Sequence, residues 1–442
     1  MYLTDRSAAP AADTGPGRRR GPRPGVTPVV LALGTVSLIT DISSEMVTAV
    51  LPLYLVTTLG FSPLAFGTLD GVYNGVSALV QLTGGHLADR MRDHKLLAGL
   101  GYGLSALCKP LLLFAGGIGT LGAVLALDRT GKGLRTAPRD AMISLSTPTA
   151  HQGRAFGVHR AMDTTGAMLG PLAAFLVLGA ASDGYDAVFG VSACVAALGV
   201  IVLVLFVPGR RRDPSTETTG GPSGAGASEA RPPVRVREAL VLLRLPRLRA
   251  LTCCAALLGL TTVSDAFVYL LLQRRAGVGE EWFALLPLGT AAMFLLLAVP
   301  AGALADRIGR NIVFLAGHLG LLTAYALVLW APATPLLVPL VLALHGTFYA
   351  ATDGVLPAAL AGIVPEHVRA SGLALVGTSQ ALARFCCSLG FGAAWTMWGD
   401  GPALAGAAIG LLCCATVAGL VLRPARRIRR PRSHPDERQG PL

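Results

Sequence analysis

Residues 126–140, ALDRTGKGLRTAPRD, hold four cations and two carboxylates between apolar runs long enough to cross a bilayer. Asp128, Lys132, Arg135 and Arg139 are spaced 4, 3 and 4 residues apart. At about 100° per residue they stay within a helical stripe about 60° wide. Charge that meets lipid at mid-membrane costs at least about 2.5–3.5 kcal/mol per residue. A single stripe can instead face the water of a cavity. Two chemistries fit. Lys132, Arg135 and Arg139 could attract an anionic group, and carboxylates placed near such cations could take up and release protons. Acids for the second role stand nearby in the sequence. TDISSEM (40–46) puts Asp41 and Glu45 one helical turn apart, and HRAMD (159–163) carries Arg160 and Asp163. Asp265 stands alone in a later apolar run, and Tyr349 and Asp353 are candidates for an opposite wall. Lys109, Asp128, Arg129 and Arg160 complete a network that could equally serve to neutralise charge and hold helices together. Arg129 lies off the stripe and needs a partner on a neighbouring helix.

These residues are carried by a chain built for a membrane. Only 14% of the 442 residues are charged, against about a quarter in soluble domains. Apolar runs recur along the whole length at 28–58, 64–88, 95–116, 119–144, 154–179 and 186–208, then at 249–273, 281–305, 311–331, 334–363, 370–398 and 402–423. Each can span the hydrocarbon layer, some with tilt. That recurrence excludes a large soluble enzyme. The net charge of +12 does not argue for nucleic acid, because the cations cluster in short segments between runs, as they do in membrane proteins. The eight cysteines lie inside apolar runs, without C-x-x-C or Cys/His ligand spacing, and read as packing residues. No metal and no cofactor is expected.

Five segments follow: a basic, disordered tail at 1–27; a bundle of six spans at 28–208; a linker at 209–248; a second bundle of six at 249–423; and a basic tail at 424–442. The linker is rich in Gly, Ser and Pro, and its end, VRVREALVLLRLPRLRAL, reads as an amphipathic helix in the membrane interface. Cations concentrate before span 1, after spans 2, 4, 6, 8 and 10, and after span 12, with Arg274 and Arg275 as the exception. The positive-inside rule then puts both termini and the linker in the cytoplasm.

The two halves share motifs. Span 2 ends GGHLADRMRDHK and span 8 ends AGALADRIGRN. Span 5 begins GRAFG where span 11 begins RASG. Such internal similarity marks duplicated bundles. The residues resemble the major facilitator superfamily, whose signature between helices 2 and 3 is roughly G-x-L-A-D-R-x-G-R-K. Gly302, Asp306, Arg307, Gly309 and Arg310 follow it closely. Gly85, Asp89 and Arg90 follow it in the first copy, which then departs at Arg92 and Asp93. GAMLGP, with Gly166, Gly170 and Pro171, resembles the G-x-x-x-G-P motif of the family's antiporters. The resemblance implies an all-α integral membrane fold of twelve transmembrane helices in two six-helix bundles. It also implies a central cavity lined by spans 1, 4, 7 and 10, and a charge latch at Asp89–Arg90 and Asp306–Arg307.

The expectation is a secondary transporter in the plasma membrane, exporting a small organic molecule with an anionic group in exchange for protons, and acting as a monomer in the lipid bilayer. Import by symport or facilitation is the alternative. A membrane enzyme is disfavoured, since the chain lacks G-x-S-x-G, H-E-x-x-H and a complete P-loop, and GIGTLG (117–122) has no preceding strand.

Overall fold

The computed structural model describes residues 26–90, 93–148, 151–208, 242–353, 355–361, 363–364 and 369–422, excepting the side chains of 77–79, 81–90, 357–358, 361, 369–371 and 374. The two tails and most of the linker lie outside the described residues.

Among the described residues there is helix and no strand, as a lipid-embedded backbone that must satisfy its own hydrogen bonds requires. The first half comprises α1 (Pro28–Leu53), α2 (Pro63–Arg90), α3 (His94–Leu111), α4 (Ile118–Leu145), α5 (Gln152–Ala180) and α6 (Gly184–Phe206). The second comprises α7 (Pro246–Gly259), α8 (Asp265–Ala276), α9 (Glu280–Phe283), α10 (Leu286–Ile308), α11 (Arg310–Trp330), α12 (Leu337–Thr352), α13 (Val355–Ala361), α14 (Arg369–Trp398) and α15 (Asp400–Val421). Seven described segments are by themselves long and apolar enough to cross a membrane. The other five crossings are α2, α4 and α14, which are long but carry charge, and two broken spans, α7–α8 and α12–α13. The fold is thus the expected twelve-span architecture.

Three details differ from the sequence reading. Span 7 breaks between Gly259 and Asp265, and span 10 breaks at Asp353. Residues 246–248, assigned to the linker, are already helical. Pro246 opens α7, where a missing N–H is harmless, and Leu248 is fully buried. The expected interfacial helix therefore does not continue to 251.

Small residues let the charged helices approach one another. Ideal Cβ atoms on Gly166 and Gly170 would collide with α1, the first with the Leu38 backbone, the second 2.9 Å from the Ile42 carbonyl oxygen. Gly101 of α3 and Gly131 of α4 each face the other's carbonyl at 2.7 Å from such a Cβ. The halves meet through α2 on α14, α5 on α9 and α10, and α1 on α8 and α9. The contact is closed at one end: Leu64 N donates to Thr396 Oγ1 at 3.0 Å, Tyr185 Oη donates to Glu280 Oε2 at 3.0 Å, and Phe267 packs against Phe66, Phe391 and Trp395. Arg274 and Arg275, the cations that broke the loop pattern, are used here. Arg274 lies over the Trp395 ring, and Arg275 donates to the Leu329 and Ala331 carbonyls at the end of α11.

Gly170→Leu should force α5 off α1 and destabilise the bundle by about 1–3 kcal/mol, the usual cost of overpacking. Thermal unfolding in detergent reads this, with Gly103→Leu, whose Cβ would meet nothing within 4 Å, as the control expected to melt with the native protein.

Candidate functional site

The α4 stripe is satisfied by carboxylates. Asp128 is buried and bridges two buried cations, Lys109 at 2.9 Å and Arg129 at 2.5 Å, while Ser105 Oγ donates to it at 2.6 Å. Arg129 also lies over the Tyr73 ring, 4.1 Å from its centroid. The partner that Arg129 needed is therefore its own neighbour in sequence, with an aromatic face beside it. Arg135 donates to Asp41 Oδ1 at 3.1 Å and lies over the Tyr102 ring. Lys132, the most exposed of the stripe's cations, stands 3.9 Å from Asp41 and 3.7 Å from Glu45. Arg139 reaches Asp140 at 3.0 Å and Asp163 at 3.6 Å, and Arg160 stands 3.8 Å from Asp163.

This corrects one expectation. Asp128 and Arg135 do not face cavity water, since each is at most 4% exposed. None of Lys132, Arg135 and Arg139 lines the main cavity. Paired carboxylates on α1 and α5 compensate these cations better than a half-wet channel would, because a buried charge without a partner is costly.

The second half is organised around its broken spans. The break leaves Asp265 in the first turn of α8, where the helix dipole favours negative charge. Tyr349 Oη of α12 donates to Asp265 Oδ1 at 2.6 Å, and His345 Nε2 lies 3.2 Å from the same oxygen. His345 is fully buried and stacks on Tyr349. His345 was not singled out in the sequence, and its contact with Asp265 brings it into the site. Asp353 stands at the break between α12 and α13.

Between the halves lies a cavity of 340 Å³. Glu45, Asp70, Asp265 and Asp353 line it, with Arg384 as its cation and Tyr73, Tyr269, Tyr349 and Phe294 as aromatic wall. Asp70 had not been singled out. Of the predicted residues, the structure brings Glu45, Asp265, Tyr349 and Asp353 to this cavity, and leaves Asp41 and Asp163 in the α1–α4–α5 network. Spans 1, 7 and 10 line it as implied, together with spans 2, 8 and 11; the lining includes no residue of span 4.

The repeated motif is partly described. Gly309 takes a positive φ of 108° between α10 and α11, and Arg310 pairs with Asp306 at 3.2 Å across that turn. Arg307 sits in the last turn of α10. The side chains of Gly85, Asp89 and Arg90 lie outside the described residues. Asp93, which departs from the motif, caps α3 by accepting from Leu96 N at 3.0 Å.

Asp128→Asn should cost about 3–5 kcal/mol, because Lys109 and Arg129 would be buried without a counter-charge. Arg160→Ala removes a cation that is 80% exposed and should cost less than about 1 kcal/mol. Melting curves of the two variants measured side by side check the contrast, and equal shifts would refute it.

Comparison with known proteins agrees with this architecture. The sequence model of the Major Facilitator Superfamily matches residues 33–296 and 283–441. An uncharacterized MFS-type transporter of Methanocaldococcus jannaschii is 29% identical over 404 residues, covering 89% of this chain and 94% of that one. An uncharacterized protein of Mycobacterium tuberculosis is 31% identical over 189 residues, covering 43% of this chain and 45% of its own length. The fold is shared with the nucleoside transporter NupG (TM-score 0.73, 12% identity, covering 90% of this chain and 100% of that one). It is also shared with a bacterial homolog of the human lysosomal transporter Spinster in its inward-facing form (TM-score 0.67, 16% identity, covering 91% and 95%). Matched by its sequence along nearly its whole length, the chain belongs to the major facilitator superfamily and is a multi-pass membrane transporter of a small molecule, not an enzyme.

Proposed function

We propose that the protein exports a small organic molecule carrying a basic nitrogen, in exchange for protons, across the plasma membrane. The observation that carries this reading is the cavity between the halves. It draws on both bundles, it is walled at one end by α2 on α14 and α5 on α9, and its carboxylates outnumber its cation. The anionic substrate expected from the α4 stripe loses its support, because those cations are already paired. A basic nitrogen would find Asp265 and Asp353 on one wall and aromatic faces beside them, a combination that binds organic cations. Proton exchange is assigned to Asp265, which the nitrogen would also contact, and to Glu45 of the same cavity, because substrate and proton then compete for one site. Asp41 and Asp163 lie side by side among the α4 cations Lys132, Arg135 and Arg139 and are not assigned the exchange. Export rests on the resemblance of Gly166, Gly170 and Pro171 to the antiporter motif. With both termini in the cytoplasm, the closed end is external and the cavity faces inward. Alternating access then needs only rocking of the halves about the cavity.

Everted membrane vesicles with an acid interior test the reading. Organic amines should discharge the acid gradient in a protein-dependent way. Asp265→Asn should weaken their half-maximal concentration by about tenfold or more, the worth of a charge-assisted contact. Discharge by organic anions alone would refute the basic-nitrogen reading, and amine uptake together with protons into right-side-out vesicles would refute export.

A further inference from the structure

Asp70 is a carboxylate on α2 that binds the opposite half with hydroxyls. Ser264 Oγ donates to Asp70 Oδ1 at 3.0 Å, and Ser388 Oγ donates to Asp70 Oδ2 at 2.6 Å. Ser264 is the N-cap of α8, yet its side chain makes no capping bond. A serine there ordinarily satisfies its own helix, at a worth of about 1 kcal/mol. Here it is given to the other bundle. Ser388, on α14, is 2% exposed. Directly beside this contact the two halves pack tightly: a Cβ on Gly71 would lie 3.0 Å from the Phe385 ring, and Gly67 faces the Ser388 carbonyl. One carboxyl thus ties α2 to the break in span 7 and to α14, at the inner edge of the closed end.

The other cavity carboxylates have different company. Asp265 has Tyr349 and His345, and Glu45 has Lys132. Among the described residues no Lys or Arg nitrogen comes within 4.0 Å of the Asp70 carboxylate. Its titratable surroundings are Tyr73 on its own helix, Glu45 from α1, and Asp265 and Tyr269 from α8. Tyr349 and Asp353 face the same space from span 10, and Arg384 and Cys387 from α14. α10 contributes no ionisable side chain to this wall. The donors on Asp70 are all neutral, two serine hydroxyls and the Asn74 amide at 3.4 Å, and an ionised carboxylate half-buried between the halves without a cation beside it is disfavoured. A neutral carboxyl suits the same partners once the Ser388 hydroxyl turns to accept: Oδ2 then donates to Ser388 while Oδ1 accepts from Ser264 and Asn74.

We propose that Asp70 is the proton-bearing latch of the closed end: with its proton it clamps α2 to α8 and α14 through Ser264 and Ser388, and without it the end opens. On release the Asp70 O–H bond breaks, the carboxylate keeps the electron pair, and the proton passes to a cavity water. On return, external water at the opened end supplies the proton, and the clamp re-forms. A proton arriving from outside thus closes the outer end, the order that antiport requires. The inference rests on alternating access between the halves, not on the direction or the substrate proposed above.

Hydrogen–deuterium exchange on the full protein in nanodiscs tests this without a substrate, so its failure is separate from failure of the vesicle assay. Peptides covering 59–69, 258–268 and 385–399 report the closed end, and 190–205 in α6 reports the fold. In the native protein, exchange of the first three, corrected for intrinsic rate, should rise about threefold or more between about pH 5.5 and about pH 8.5. Asp70→Asn should stay protected at both values, and Asp70→Glu should follow the native response. The double variant Ser264→Ala/Ser388→Ala should exchange faster at both. A native protein without the response, or an Asp70→Asn variant that keeps it, overturns the proposal. If Asp70→Asn loses protection in α6 as well, the serine pair decides: closed-end exchange unchanged from native overturns the clamp.

Discussion

A charge at bilayer depth must be neutralised locally, and Asp128 shows how this chain does it. One carboxylate between Lys109 and Arg129, with Ser105 donating to it, binds α3 to α4 where Gly101 and Gly131 allow their backbones to touch. Arg135 with Asp41 binds α4 to α1, and Arg139 with Asp163 binds α4 to α5. The glycines and the ion pairs are two parts of one arrangement. Small residues bring the helices close enough for short ion pairs, and the ion pairs keep desolvated charge tolerable. The α1–α3–α4–α5 charge network is in this sense a framework whose charges are already matched.

The second half is built differently, and the contrast shapes the cavity. Spans 7 and 10 are broken where they meet it, and the breaks present Asp265 and Asp353 instead of a smooth helical wall. Discontinuous helices at a binding site expose a helix start and side chains that a continuous helix would turn elsewhere. Tyr349 and His345 then hold Asp265 in place. Most of the first bundle's buried charge is matched within it, and the second bundle turns Asp265, Asp353 and Arg384 to the cavity, where Glu45 and Asp70 of the first bundle meet them.

Much of this was legible in the sequence. Apolar length alone placed the twelve spans, since the hydrocarbon thickness fixes how long each must be. The carboxylates of TDISSEM and HRAMD did find the cations of α4, because helical spacing confines them to one face. The breaks were not legible as such: TTVSDAF (261–267) and ATDG (351–354) sit inside runs apolar enough to be read as continuous helix. Membrane helices tolerate such residues, so local propensity does not mark the interruption. The direction of the α4 stripe was misjudged for a related reason, as periodicity gives a face but not what covers it. Asp70 escaped notice because its partners, Ser264 and Ser388, lie 194 and 318 residues away. No spacing rule links a lone acid to two serines in the other bundle.

Rocking of the halves about the cavity would close one end as the other opens. Double electron–electron resonance measures this directly, with genetically encoded spin labels that leave the eight cysteines in place. One pair replaces Phe114 and Leu336 at the closed end, and another replaces Leu145 and Ile308 at the opposite end; all four are exposed. Raising the pH should lengthen the first distance and shorten the second in the same population. Two distances that stay fixed, or that lengthen together, would contradict it.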